Sequence, residues 1–356
     1  MPGPRMLSAW RFFELGHGLA WIAVCVALVL VFVLVLLLAL SIDARWGEPR
    51  SAFHPVVLMG RYLQACGNVI SSRPPFLAFV GGALAWLAGA LVLGVLAAAL
   101  QALALRQVMR LVLEPGLDNA FIVVLLVVFM SWLFKGMLSW RMLHDEVAAV
   151  ETALQQSVQA GRARLAWLVS RNTALLSESE VRESAIESLA ENLNDSVVAP
   201  VFWFALFGLP GAVIYRFANT ADAMWGYRGV HRGQHWEWAG KWAARADDVL
   251  SWLPARLTAG LLALVARGLP VGALRWEAAK TPSPNSGWPM AAMALALGVS
   301  LRKPGVYTLN AAGRPAEAAD TASARTYASK AVFALVLCAK SAMFSIAIAL
   351  FVNLSP

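Results

Sequence analysis

The chain has 356 residues, 59% of them hydrophobic and only 14% charged, with a mean hydropathy of +0.63. Soluble domains carry roughly a quarter charged residues, so this balance excludes an ordinary soluble protein and indicates an integral membrane one. The net charge of +8 suits anionic lipid or an anionic substrate and not nucleic acid, because the basic residues are scattered singly and never form a patch.

The first element, Gly18–Ile42, is 25 residues without a charge. A span needs about 20 and a secretory signal core is only about 7–15, so it is expected to be a retained anchor. Three more spans are predicted at Leu77–Leu105, Leu117–Leu138 and Ala331–Asn353. Lys135 lies near the end of one and is expected to snorkel to the interface. Lys340 is more central and stands out. Two further apolar stretches, Val197–Phe217 and Leu250–Leu274, are interrupted by Pro200, Gly208, Pro210 and Gly211 in the first and by Pro254, Arg256, Arg267 and Pro270 in the second. Broken helices at membrane depth survive only where protein or a cavity surrounds them. These two are expected to re-enter or lie at the interface around a site, as is the short piece Met290–Leu301.

The fold class is therefore an all-α polytopic membrane protein, one domain over residues 1–356, with about four full spans and two broken segments. Its polar blocks are Asp43–Phe76, Ser139–Ser196, Arg216–Val249 and Arg275–Lys330. Span parity gathers them on one side if the broken segments do not cross. Within the second block, Leu143, Val147, Val150, Leu154 and Val158 recur at helical spacing, with Gly161 as the expected stop. Cys25, Cys66 and Cys338 are far apart, with no disulfide framework or zinc spacing. His231 and His235 lack an obvious third ligand.

The segment after Ser177 carries the densest chemistry. Ser177 and Glu180 form a capping box, opening a helix expected to run to about Ser196 and stop before Pro200. At 100° per residue, Ile186, Leu189, Leu193 and Val197 share one face. Glu180, Glu183, Glu187, Glu191, Asn194 and Asp195 fall opposite. Like charges four apart repel, and Arg182 points elsewhere. The stripe is either a solvated face or a site whose neutralising cation arrives from outside, such as magnesium held by carboxylate and amide oxygens.

Other polar clusters flank the broken segments: Asn219, Thr220 and Asp222, then Arg228; Arg245, Asp247 and Asp248, then Arg256; and the turn Ser283–Pro289, followed by Lys303–Tyr307. Carboxylates that hold a metal and arginines that grip phosphate belong together in a magnesium–phosphate site. Helix capping and local ion pairing would use the same residues. Asp43, Glu48, His54 and Arg61 make a similar cluster after the first span. Trp225, Trp252 and Trp288 sit within these motifs, where they could pack on a large flat ligand.

Assembled, these stretches resemble the membrane-bound adenosylcobinamide-phosphate synthase family of cobalamin biosynthesis, the CobD/CbiB proteins. The resemblance runs from about Asp43 to about Asn310 and rests on GEP…HPVVLMGR (47–61), AIESLAENLNDSVVAPVFW (185–203), FGLPGAVIYRFANTADAMWGYR (207–228), AARADDVLSWLPARLTA (243–259) and SPNSGWPMAAMALALGV…KPGVY (283–307). Asn172 stands where the family leads one to expect aspartate, Ser251 where asparagine is expected, and EWAGKWAARADD (237–248) replaces the usual lead-in. The resemblance implies an ATP- and magnesium-dependent amide synthase. It would join adenosylcobyric acid to (R)-1-aminopropan-2-ol O-phosphate or free aminopropanol, at the cytoplasmic side of the bacterial inner membrane, with later membrane enzymes of the pathway as partners. On that reading Glu187, Glu191 and Asp195, helped by Asp222, Asp247 and Asp248, hold magnesium. Arg61, Asn194, Asn219, Thr220, Arg228, Arg245, Arg256, Ser283, Asn285 and Lys303 bind substrate or phosphate, and Glu48 or His54 serves as base. No GxxxxGK[ST] loop marks the nucleotide site. An intramembrane magnesium-dependent prenyltransferase and a transporter are the alternatives.

Overall fold

A computed structural model describes the backbone of residues 4–48 and 54–354 and the side chains of 22–48, 54–345 and 348–349. Pro49 of the GEP motif and the charges at Arg5 and Arg11 lie outside the described side chains. The all-α expectation holds: apart from two short hairpins, β1 (Val230–His231) with β2 (Gln234–His235) and β3 (Leu301–Lys303) with β4 (Tyr307–Leu309), the described elements are helices.

Helices α1 (Pro4–Trp46), α3 (Pro75–Leu113) and α4 (Leu117–Lys135) pack side by side, with the amphipathic α2 (Pro55–Ile70) between the first two in sequence. Among the described residues, five segments are long and apolar enough to cross a membrane: Ile22–Trp46, Pro75–Leu113, Leu117–Leu154, Lys241–Val265 and Ala318–Ser345. Four of them contain or overlap the expected spans. The fifth, α10 (Lys241–Val265), covers the start of the stretch expected to be broken at Pro254. The helix stays continuous there because the carbonyl that Pro254 leaves without a donor, that of Leu250, accepts a hydrogen bond from Trp203 Nε1 at 3.0 Å. The break comes later, at Arg267 and Gly268, both in the left-handed region (φ 61° and 111°).

α5 (Trp140–Leu154) buries Leu143, Val147, Val150 and Leu154 as its periodicity requires. Val158 opens a new helix, α6 (Val158–Leu165), because the Ser157 hydroxyl accepts from Ala160 N at 3.0 Å and caps a fresh N-terminus. Gly161 is therefore interior to α6, packed against Leu154, and stops nothing.

The Ser177 capping box is present, and α7 (Glu178–Leu193) runs from it. The helix does not end before Pro200. It passes through a π-turn (Asn194–Val198) into α8 (Ala199–Phe207), with Pro200 in the first turn of α8. Proline again frees a carbonyl, that of Ser196, which accepts from Ser139 N at 3.1 Å. Gly208 (φ 68°) then folds the chain back into α9 (Leu209–Trp225), and the orphan N–H of Leu209 donates to Gln101 Oε1 of α3 at 2.8 Å. This stretch, Val197–Phe217, is broken as expected, and its backbone groups are satisfied by protein, as lipid contact would require.

After α10, α11 (Val271–Ala278) and α12 (Gly287–Leu297) lead to β3 and β4, and α13 (Ala318–Leu354) packs beside α1 and α10. The polar blocks gather at one end. Arg302 reaches Glu183, Tyr307 reaches Glu187, Asn285 reaches the Asp248 carbonyl, and Thr321 reaches Glu151. Arg141 ties the C-terminal end of α1 to the same region through its backbone N–H, which donates to Asp43 Oδ2 at 2.8 Å.

Candidate functional site

The apolar face of α7 is as drawn from the sequence: Ile186, Leu189, Leu193 and Val197 are fully buried. The acidic face, however, is not solvated. Glu183 and Glu187 are 0% and 2% exposed. Two of the cations missing from the local sequence come from elsewhere in the chain. Arg302 donates to both carboxylate oxygens of Glu183, at 3.0 and 3.1 Å. Arg171 donates to Glu187 Oε1 at 2.5 Å, and the Tyr307 hydroxyl donates to the same atom at 2.6 Å. Glu183 and Glu187 thus hold the β3–β4 hairpin onto α7.

Beyond them the compensation runs out. Glu191, half-buried, has no hydrogen bond or ion pair among the described residues. Burial, then Asp195 and Glu187, push its pKa up to about 7, with Lys303 and Arg171 opposing. Asp195 accepts from Asn194 Nδ2 at 2.8 Å, while Asn194 Oδ1 accepts from Thr258 at 3.0 Å. The π-turn makes this bond pattern possible, since the wider turn directs Asn194 at α10 while leaving Asp195 toward α9. Asn219 bridges Arg216 and Asp247, each at 3.4 Å. Arg216 also donates to Ser196 Oγ at 3.1 Å and to the Asp195 carbonyl, the one released from α-helical bonding by the π-turn. Burial, then Asp248 and Asp195, raise Asp222 to about 6. Thr220 is turned onto its own helix, donating to the Arg216 carbonyl. Glu191, Asp195, Asp222, Asp247 and Asp248 therefore form one mutually repelling acidic region, assembled from three motifs far apart in sequence.

The remaining residues of the expected site separate into three groups. Arg228 and Arg245 are exposed, without a hydrogen bond or ion pair among the described residues, and line a cavity of about 380 Å³ with Asp248. Lys303 lines another of about 390 Å³ with Glu180, Arg302 and Tyr307. Arg256, Ser283 and Asn285 form a clamp. The Arg256 guanidinium lies between the rings of Trp252 and Trp288 and donates to Asn285 Oδ1 at 2.9 Å and to the Pro284 carbonyl. Asn285 donates to the Asp248 carbonyl at 2.7 Å, and Ser283 Oγ accepts from the N–H groups of Asn285 and Ser286. With its donors and ring faces occupied, this clamp positions α10. Of the motif tryptophans, Trp225 is buried and Trp288 packs on Arg256, whereas Trp252 is 54% exposed with Arg256 on one face. Arg61 lies exposed on α2, without a polar partner among the described residues.

At the end of α1, Lys135 does not snorkel. It is 1% exposed, donates to Glu48 Oε2 at 2.9 Å and lies 3.5 Å from Asp43. His54 caps α2, its Nδ1 accepting from Val56 N at 3.2 Å, so its proton sits on Nε2, 2.8 Å from Glu48 Oε2. The imidazole has no lone pair to spare. Burial pushes Glu48 upward, but the bonds from His54 and Lys135 outweigh it and hold the carboxylate below its ordinary range. Neither residue is a ready base as arranged. Arg216 connects the two regions, lying in the field of both Asp195 and Glu48. Lys340 is half-buried, with no polar partner among the described residues.

Arg171 and Arg216 have no role in the sequence reading, and Tyr307 enters it only as the end of the Lys303–Tyr307 loop. Arg216 carried a signal: a charge at the inner end of an apolar stretch is a site marker. Arg171 carried none, because its partner is sixteen positions away across a turn.

The CobD/CbiB protein family profile matches residues 36–336. The chain belongs to the CobD/CbiB family. It is 39% identical over 268 residues to a "Probable cobalamin biosynthesis protein CobD" of Pyrococcus furiosus, covering 75% of this chain and 84% of the relative. Against the "Cobalamin biosynthesis protein CobD" of Dehalococcoides mccartyi the identity is 37% over 284 residues, with 78% and 86% covered. The Brucella melitensis protein of the same name is 38% identical over 289 residues, with 75% and 82% covered. No solved structure matches. Family membership places the protein in cobalamin biosynthesis, and its five long apolar helices make it a multi-pass membrane protein.

Proposed function

We propose that the protein is an adenosylcobinamide-phosphate synthase, joining adenosylcobyric acid to (R)-1-aminopropan-2-ol O-phosphate, or to free aminopropanol, with ATP and magnesium. Family membership supports the pathway, and one observation supports the chemistry: carboxylates from α7, the π-turn, α9 and α10 converge in excess of Arg216, the cation set among them, beside two unpaired arginines. The donor set is all oxygen, which suits a hard cation. Among the described residues no three carboxylates stand together at ligand spacing. That is compatible with magnesium, which usually takes one or two carboxylates and completes its shell with water and phosphate. One or two of Asp222, Asp247, Asp248, Asp195 and Glu191 would hold it; Glu187 is committed to Arg171 and Tyr307. When bound, magnesium neutralises charge on the transferring phosphoryl group.

The reaction asks little covalent chemistry of the protein. Phosphoryl transfer from ATP onto the corrinoid carboxylate turns one oxygen into a leaving group. The amine nitrogen then attacks the carbonyl carbon, the C–O bond breaks, phosphate departs, and the nitrogen loses a proton. Arg228 and Arg245 supply positive charge for phosphate oxygens, while Asn194 and Asn219 hold the neighbouring carboxylates in place. The Arg256–Asn285–Ser283 clamp fixes α10, and with it Asp247 and Asp248. The need for ATP sets this end of the protein at the cytoplasmic side of the inner membrane.

The decisive experiment supplies purified protein in detergent with adenosylcobyric acid, aminopropanol phosphate, ATP and magnesium, and reads the amide and ADP by mass spectrometry. Both products are expected. Diphosphate release without ATP consumption from a prenyl substrate would favour a prenyltransferase, and no amide from active substrates would sink the synthase reading.

A further inference from the structure

The proposed reaction needs a nucleotide site, and no sequence motif marks one. Two polar cavities of nearly equal size open at the gathered end of the protein, one of about 380 Å³ and one of about 390 Å³. Their linings carry the same formal charge, and the pairing of their cations separates them. In the cavity at the β3–β4 hairpin, Arg302 is committed to Glu183, and Glu180 adds a negative charge, leaving Lys303 alone. The cavity between the end of α9 and the start of α10 is lined by Arg228, Lys241 and Arg245 and by the carboxylates of Glu237 and Asp248, with the Lys241 ammonium 4.0 Å over the Trp238 ring. Neither Arg228 nor Arg245 makes a hydrogen bond or ion pair among the described residues, whereas Arg141, Arg171, Arg182, Arg302 and Arg314 all do. α10 also opens without a side-chain cap at Gly240, so its first N–H groups add partial positive charge beside Lys241.

The same cavity has an aromatic wall. Tyr227 lines it and is stacked on His231 at 3.7 Å with the ring planes 5° apart, which fixes the tyrosine plane. Asp222 lies one helical turn before Gly226, whose N–H donates to the Asp222 carbonyl, so the acidic region begins where the cavity ends.

Resting on the ATP-dependent reading above, we infer that this cavity is the nucleoside-triphosphate site, with Arg228, Lys241 and Arg245 on the polyphosphate and Tyr227 against the base. A phosphate monoester such as aminopropanol phosphate shares the phosphate chemistry. Two unpaired arginines, Lys241 and an uncapped helix N-terminus spread donors along the cavity, which suits a polyphosphate chain better than a single phosphate, and the Asp248 carboxylate faces the side where the metal of a magnesium–nucleotide would lie.

The test uses the full-length protein in lipid nanodiscs, with AMP-PNP plus magnesium, inorganic triphosphate and aminopropanol phosphate as separate probes in calorimetry. R228A/R245A is expected to weaken AMP-PNP and triphosphate at least tenfold, about 1.4 kcal/mol, and to leave aminopropanol phosphate within twofold. Y227A should weaken AMP-PNP but not triphosphate, and K303A should leave both within twofold. The two arginines are exposed and unpaired, so the double variant should fold, which gel filtration and circular dichroism check. The inference is overturned if the double variant keeps AMP-PNP affinity, if K303A alone loses it, or if only aminopropanol phosphate binding suffers. Wild-type protein that binds no AMP-PNP overturns the ATP-dependent reading as well. Wild-type binding with unaffected arginine variants overturns the site assignment alone.

Discussion

If the acidic region takes magnesium, protons must compete with the metal in a pH range where ordinary carboxylates do not titrate. Glu191 is raised to about 7 and Asp222 to about 6. The groups facing Glu191 are Asp195 and Glu187, which raise it, and Lys303 and Arg171, which lower it. Those facing Asp222 are Asp248 and Asp195. Magnesium requires deprotonated ligands. Lowering pH from 8 to 6 therefore weakens binding about tenfold through Glu191 and about twofold through Asp222, roughly 20-fold or about 1.8 kcal/mol together. Two carboxylates at their ordinary values would change affinity by only a few per cent over the same range. The contrast is large enough to decide.

The assay is calorimetric titration of magnesium into the detergent-solubilised protein at pH 8, 7 and 6, in two buffers of different ionisation enthalpy so that proton release is read directly. About one proton should leave per metal near pH 6.5. E191Q should reduce the pH effect from roughly 20-fold to about twofold, whatever it does to affinity at pH 8. An affinity that changes less than twofold between pH 8 and 6 in the wild type would refute the reasoning, because the region would then be neither repelling nor metal-linked.

The same shift has a consequence for stability without metal. A carboxyl whose folded pKa lies above its unfolded value is harmless below about 4.5, and its cost grows until about 7. E191Q should therefore raise the melting midpoint of the metal-free protein at pH 8, by at most about 3 kcal/mol of stability, and leave it unchanged at pH 4.5; a rise at both pH values would show another cause. R302A strips the buried Glu183 of its guanidinium partner, so it should cost on the order of 3–5 kcal/mol, read as a lower midpoint by tryptophan fluorescence. R302A/E183Q should recover part of it. K135M should destabilise to a similar extent by leaving Asp43 and Glu48 together, whereas a snorkelling lysine would change the midpoint by no more than a surface substitution does.

The order of helices was legible because each long element carries its own signal: an uncharged run of more than 20 residues, or an amphipathic repeat such as that of α5. What proved illegible depended on partners distant in sequence. Pro254 reads as a breaker, and it fails to break α10 only because Trp203, about fifty residues earlier, accommodates the freed carbonyl. Pro200 reads as a stop, and Ser139 lets the chain continue past it. Lys135 reads as an interface residue until Glu48, on another helix end, claims it. The stripe on α7 was found at the right place and face, but its charge balance was not. A helical wheel shows which carboxylates share a face and not which guanidinium the fold brings to it.

That division of the stripe is itself informative. Burying a carboxylate costs several kcal/mol unless it is paired, and Glu183 and Glu187 meet this requirement with Arg302, Arg171 and Tyr307. The fold could have treated Glu191 the same way, since Lys303 lies on the same hairpin as Arg302 and already acts on it electrostatically. Instead, Lys303 lies toward the ring of Tyr307, 6.0 Å from its centroid, and Glu191 keeps its repulsion with Asp195. Within three turns of one helix, the same residue type is neutralised by the protein near the hairpin and left charged against its neighbours near the π-turn. A uniformly solvated face would produce neither arrangement. A purely structural buried face would have paired Glu191 too. The arrangement fits a helix whose first half is anchored by permanent cations so that its second half can hold a charge deficit for a removable one, next to the cavity where Arg228 and Arg245 wait unpaired.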